Sequence, residues 1–163
     1  MTIGDQTIQG SGNIGRDTTN FVNQADGLID ANVDGETLVL DASSSFINNG
    51  ALRASGGGIL ELRDAGSFID FANTGRIEAL NDSEILLTDN ARIVGGVLET
   101  VGSGQVRVAA NQNAFLEDLT LNGRLVAEDR SDTQISGTIN NTGSIDITST
   151  DGCLLYTSPS PRD

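Results

Sequence analysis

The chain has 163 residues, enough for one domain with a core, and its 20 glycines against 2 prolines fit neither a collagen-like repeat nor a proline-rich linker. His and Trp are absent, Cys and Tyr occur once each and every basic residue is arginine, which excludes Ser/His/Asp and Cys/His nucleophilic mechanisms. A formal charge of −14, with the arginines scattered singly along the chain, argues against nucleic acid and anionic membrane surfaces as partners. The first thirty residues lack the basic, apolar and small-residue sections of a signal peptide. No apolar run approaches the ~18 residues of a membrane span, so no direct membrane insertion is expected.

The earliest motif is Gly10-Ser11-Gly12-Asn13-Ile14-Gly15, which fits a dinucleotide-binding glycine pattern with Asp34 downstream. Such a site needs a helix to begin there and present its N–H groups to a pyrophosphate. The polar run Arg16-Asp17-Thr18-Thr19-Asn20 stands in the place of that helix, so the motif reads as a glycine-rich turn.

A repeat begins at Phe21. Phe21, Phe46 and Phe71 are evenly spaced, and each is followed two positions later by Asn23, Asn48 or Asn73. After each asparagine comes a glycine and an alternating stretch: Leu28-Ile29-Asp30-Ala31, Ala51-Leu52-Arg53-Ala54, and Arg76-Ile77-Glu78-Ala79. A second alternating pair closes each unit, Leu38 with Leu40, Leu60 with Leu62, and Ile85 with Leu87. Downstream, Ile93 to Leu98 with Val106 and Val108, Leu119 to Leu125, and Ile139 to Ile147 continue the pattern more loosely. Gly27, Gly50, Gly75, Gly96, Gly123 and Gly143 are expected to occupy one equivalent turn, with a mean step of about 23 residues.

Strict alternation over four to six residues predicts strands, and no ten-residue stretch carries the apolar spacing of an amphipathic helix. Leucine-rich repeats lack their signature here, and propeller blades need about 40 residues and a tryptophan. The predicted fold is therefore all-β: a right-handed parallel β-helix of about six coils, each of ~20–27 residues, over residues 1–152. Phe21, Phe46 and Phe71 should stack in its core, as should Ile29, Leu52 and Ile77. Asn23, Asn48 and Asn73 should form an amide ladder at a corner whose left-handed backbone geometry suits Asn and Gly.

The run Ile8 to Gly15, with Phe21-Val22-Asn23, Gly27 to Asn32 and Gly35 to Leu38 after it, resembles repeats of very large exported bacterial β-helix proteins, autotransporter passengers and filamentous-haemagglutinin-like adhesins. The resemblance covers roughly residues 3 to 150 and rests mostly on turn and ladder residues. It implies a secreted or surface-attached rod and no particular receptor; the expected role is a non-catalytic structural or adhesive segment of a larger protein, with cell-surface or matrix glycans and proteins as partners. Residues 153–163 contain the only Cys, the only Tyr and both prolines, and resemble in-frame translation of a sequencing-library adapter. They are set apart as a stretch expected to be without structure.

Two chemical alternatives remain. Asp30, Asn32, Asp34 and Asp41, around Gly35, resemble the ligand positions of a calcium loop, but Thr37-Leu38-Val39-Leu40 reads as strand and the neighbouring repeats lack an equivalent set. The expected reading is an acidic solvated turn, with no cofactor assigned and Ca²⁺ as the alternative. A polysaccharide-processing β-helix would draw on Glu117-Asp118, Glu128-Asp129 or Asp82-x-Glu84. Adjacent strand residues point to opposite faces, so the first two pairs do not form dyads, and no enzymatic activity is expected. The threonines show no ordered Thr-x-Thr array of the kind an ice-binding face needs.

Overall fold

The structure is a computed structural model and describes residues 1–64, 70–148 and 154–157. Within them the chain winds through seven rungs, each made of three short strands. The first rung is β1 (Thr2–Ile3), β2 (Thr7–Gln9) and β3 (Gly12–Ile14). The second is β4 (Phe21–Asn23), β5 (Leu28–Ala31) and β6 (Thr37–Asp41), and the third is β7 (Phe46–Asn48), β8 (Ala51–Ala54) and β9 (Ile59–Arg63). The fourth is β10 (Asp70–Asn73), β11 (Arg76–Ala79) and β12 (Glu84–Thr88), and the fifth is β13 (Ala91–Val94), β14 (Val97–Thr100) and β15 (Gln105–Val108). The sixth is β16 (Asn113–Glu117), β17 (Thr120–Asn122) and β18 (Arg124–Ala127), and the seventh is β19 (Asp132–Ser136), β20 (Asn140–Asn141) and β21 (Ser144–Ile147).

The first strands of successive rungs pair in parallel as sheet A, the second as sheet B and the third as sheet C, so the fold is a parallel β-solenoid of about six turns. At the ~4.8 Å spacing of paired strands, seven rungs make a rod roughly 30 Å long. Among the described residues there is no helix, and so none long and apolar enough to cross a membrane. Gly10, Gly12 and Gly15 lie in or beside the first-rung strands with positive φ, and no helix starts there to receive a nucleotide.

Alternation sets which residues enter the core. In β6, β9, β12, β15 and β18 the inward pairs are Leu38/Leu40, Leu60/Leu62, Ile85/Leu87, Val106/Val108 and Leu125/Ala127, all buried and in register from rung to rung. Sheet B contributes the column Ile29, Leu52, Ile77, Leu98 and Leu121, and sheet A the column Phe21, Phe46, Phe71, Ile93 and Leu116. Each rung alone would leave its apolar side open to the rungs above and below, so burial is completed by stacking. The phenyl rings of Phe21 and Phe46 lie 5.6 Å apart at 32°, and those of Phe46 and Phe71 5.1 Å apart at 41°.

The asparagine ladder forms as expected in its bonding. Asn23 Nδ2 donates to Asn48 Oδ1 at 2.8 Å, and Asn48 Nδ2 donates to Asn73 Oδ1 at 2.8 Å. Its backbone differs from the expectation: the three residues end sheet A strands and lack positive φ. Ladder geometry requires each amide to sit above the next, and extended backbone in register supplies that. The left-handed positions fall in other turns, at residues such as Asp82, Asn90, Asn111 and Asp118.

The single glycine column is also corrected. Gly27, Gly50, Gly75 and Gly96 do occupy one corner, where close stacking excludes a side chain: a Cβ on Gly75 would lie 2.1 Å from the Gly50 carbonyl oxygen. Gly123 and Gly143 belong instead to the next corner, between sheets B and C, because Asn122 pairs with Glu99 and Arg124 with Ser144. Leu119 precedes β17 where glycine stood in earlier rungs.

Beyond the seventh rung, Leu154–Thr157 forms β22, paired in parallel with β19. This differs from the expectation that 153–163 is without structure; the rest of that stretch lies outside the described residues. A Leu-Leu-Tyr-Thr run has strong strand preference, and β19 offers it an open edge of backbone donors and acceptors.

Candidate ligand-contact surface

Every other residue of each strand faces outward, and these rows carry the chemistry. On sheet B, Glu78 is buried between two arginines: Arg53 Nε lies 2.7 Å from Oε1 and Arg76 Nη1 3.6 Å from Oε2, while Arg76 also reaches Glu99 at 3.2 Å. On sheet C, Arg107 sits between Glu84 at 2.6 Å and Glu128 at 2.9 Å, and Arg124 pairs with Asp146 at 2.7 Å. The hydrogen bond to Glu84 raises the Arg107 pKa above the usual arginine value, against burial. Apart from Arg76–Glu78, which lies within β11, these pairs join rungs, and all offset repulsion among the carboxylates, each contributing about 0–1 kcal/mol where it is exposed.

Sheet A has a different outer surface in its later rungs. Phe115 of β16 points outward between Arg92 of β13 and Gln134 of β19, its in-register neighbours. Together with Asn90, Glu117 and Ser136 they line a groove of about 300 Å³. The Arg92 guanidinium is held at both ends, by Asp70 at 3.2 Å and by a short hydrogen bond to Glu117. The bond to Glu117 raises its pKa above the ordinary arginine value, so it is a fixed cation. Asn90 has φ of 66° in the turn before β13, and its Oδ1 accepts from Asn113 Nδ2 at 3.0 Å. The result is a half-buried aromatic ring surrounded by planar polar groups, three of them held by neighbours.

The calcium candidates do not converge. Asp30 sits on the outward row of sheet B, where Ser55 Oγ donates to its Oδ1 at 2.8 Å. Asn32 and Asp34 lie in the turn between β5 and β6, with Asp34 packed against Gly57. Asp41 ends β6, four residues beyond Thr37, which at about 3.3 Å per residue puts it at the far end of the strand from that turn. Among the described residues no group of three or more carboxylates, cysteines or histidines is placed to hold a metal ion. Asp41 is buried with Oδ1 unpartnered; burial raises its pKa above 3.8, opposed by Arg63 and reinforced by Asp17, Asp64 and Asp89.

The paired carboxylates named from sequence are likewise separated in role. Glu117 faces the groove on Arg92, whereas Asp118 accepts the Thr138 backbone N–H at 2.8 Å. Glu128 is bound to Arg107 and to the Ala110 N–H, and Asp82 accepts from Ser103 Oγ at 2.6 Å while Glu84 binds Arg107. Phe21, Phe46, Phe71 and the three ladder asparagines are buried and available to no ligand.

Sequence reading missed Phe115. The signal was present: in Asn113-Ala114-Phe115-Leu116-Glu117, a buried Leu116 forces Phe115 to the opposite face. No family model matches the chain, and neither does any curated protein or solved structure.

Proposed function

We propose that this chain is a non-catalytic display segment, a rigid acidic rod that makes weak, repeated contacts with cell-surface or matrix glycans and proteins from an extracellular protein. The observation that carries this reading is the contrast between columns and rows. Inward columns keep their character through the rungs, as in Leu60, Ile85, Val106 and Leu125, while the outward row of sheet C runs Val39, Glu61, Leu86, Arg107, Val126 and Asp146. A fold that is repetitive inside and varied outside holds different side chains at intervals of about 4.8 Å, which suits contact over an extended surface.

The test is retention under flow. Microspheres coated with the full chain should be held on immobilised mucin or collagen more strongly than spheres bearing an inert protein of equal negative charge. Retention should rise steeply with coating density, as multivalent contact requires. No density-dependent retention on either surface, or release of reducing ends from polysaccharide, would contradict the reading.

A further inference from the structure

The groove over Phe115 is chemically specific enough to name a ligand class. Its lining combines one aromatic face with two side-chain amides, a hydroxyl and a guanidinium–carboxylate pair, in a volume of about 300 Å³. This is the low end of the range for small-molecule sites, where an apolar floor supplies burial and a few placed polar groups supply orientation.

An aliphatic ligand would strip water from these polar groups and return no hydrogen bonds. A phosphate or other polyanion would approach Asp70 and Glu117 on a chain of net charge −14, and Arg92 is already committed to those two carboxylates. A neutral pyranose meets both demands. One face of the ring presents C–H groups to Phe115, and its hydroxyls act as donor and acceptor toward amides, guanidinium and carboxylate. Because Arg92 and Asn90 are held by their neighbours, little side-chain ordering is required on binding.

We infer that the outer face of sheet A across β13, β16 and β19 is a binding subsite for a neutral sugar unit of a glycan, with Phe115 as the stacking platform and Arg92, Glu117, Asn90 and Gln134 as hydroxyl partners. This deepens the display reading and rests on it only for the biological setting. A single shallow subsite of this kind gives a dissociation constant on the order of 1 mM, useful only when many copies act together.

Saturation-transfer NMR on the full chain tests it, with cellotetraose, maltotetraose and tetra-N-acetylchitotetraose as neutral probes and tetragalacturonate as the acidic one. At least one neutral probe should receive saturation on ring C–H protons. Both Phe115→Ala and Phe115→Leu should weaken that binding by about tenfold. The outward Ile47→Ala variant should leave it unchanged, and circular dichroism should show all three variants folded. The inference is overturned if no neutral probe receives saturation, if the acidic probe is preferred, or if Phe115→Leu binds as the parent does. Retention of Phe115→Ala microspheres separates the two readings: undiminished retention defeats the sugar subsite alone, whereas no retention of parent spheres defeats the display reading.

Discussion

In rungs two to four, sheet A fills its inner column with Phe21, Phe46 and Phe71 and closes the strand ends with Asn23, Asn48 and Asn73; in rungs five to seven the same column is Ile93, Leu116 and Ile135, and no asparagine comes two positions later. The winding changes with it. Register pairs advance by 25 residues from Val22 to Ile47 and again to Ala72, then by 22 from Phe71 to Ile93 and 19 from Leu116 to Ile135. The switch is a glycine pair. Asn73 Nδ2 donates to the Gly95 carbonyl oxygen at 3.2 Å, and a Cβ on Gly96 would sit 2.2 Å from that amide nitrogen. A solenoid thus conserves the apolar character of a column while exchanging its residues, provided the backbone can come close where a large polar group is capped.

The largest expected difference between the regions is in ring packing. Phe46 lies between two other rings and is fully buried, so Phe46→Ala should lower stability by about 3–5 kcal/mol, against about 0.5–1.5 kcal/mol for Ile93→Val in the aliphatic column. Denaturant midpoints would show it, and a shift for Phe46→Ala no larger than that for Ile93→Val would mean that Phe46 is not packed between its two neighbouring rings. Next comes the ladder. Asn48→Ala removes the acceptor of Asn23 Nδ2 and the donor to Asn73 Oδ1 inside the core, at about 2–3 kcal/mol. Asn122→Ala, whose Oδ1 accepts from the exposed Thr142 hydroxyl, should change stability by less than about 0.5 kcal/mol.

The boundary itself can be probed. Gly96 has φ of 69°, and Gly96→Ala adds both backbone strain and the collision with Asn73, together about 1–3 kcal/mol. In an Asn73→Ala background the closest collision is gone and the 2.8 Å approach to the Gly75 carbonyl oxygen is left, so thermal melting should show a smaller penalty for the same substitution. A penalty independent of residue 73 would show that the amide does not dictate this glycine.

The smallest effect concerns charge in rung two. Burial raises the folded-state pKa of Asp41 above its unfolded value of 3.8, so the folded chain favours the protonated carboxyl. The stabilisation from that proton is complete below pH 3.8 and is lost as pH rises through the folded-state pKa. Asp41→Asn should therefore melt higher than the parent at pH 7, with the difference shrinking on acidification. A difference that grows on acidification would reverse the assignment.

Much of this architecture is legible in the sequence because parity and period are local signals. The Phe-x-Asn spacing gives the first region its register, and alternation at Leu38/Leu40 or Ile85/Leu87 identifies the inner face directly. The second region is harder to read because Gly123 mimics the corner glycine of earlier rungs while lying one corner further on. Rung one falls outside the Phe-x-Asn pattern because Ile3 stands in register with Asn23, although Ile8 keeps the aliphatic column with Ile29. The surface groove is the least legible feature. It draws on strands β13, β16 and β19, whose spacing along the chain is set by winding and by no motif, so only the outward parity of Phe115 marks it.

Like side chains of successive rungs touch across the 25-residue interval. Nuclear Overhauser spectroscopy on a sample protonated only at phenylalanine rings, in a deuterated background, reads this directly. Cross-peaks are expected from Phe46 to both Phe21 and Phe71, from ring centres 5.6 and 5.1 Å away, and none from Phe115 to any of the three. Absence of both Phe46 cross-peaks in the folded chain would contradict that stacking.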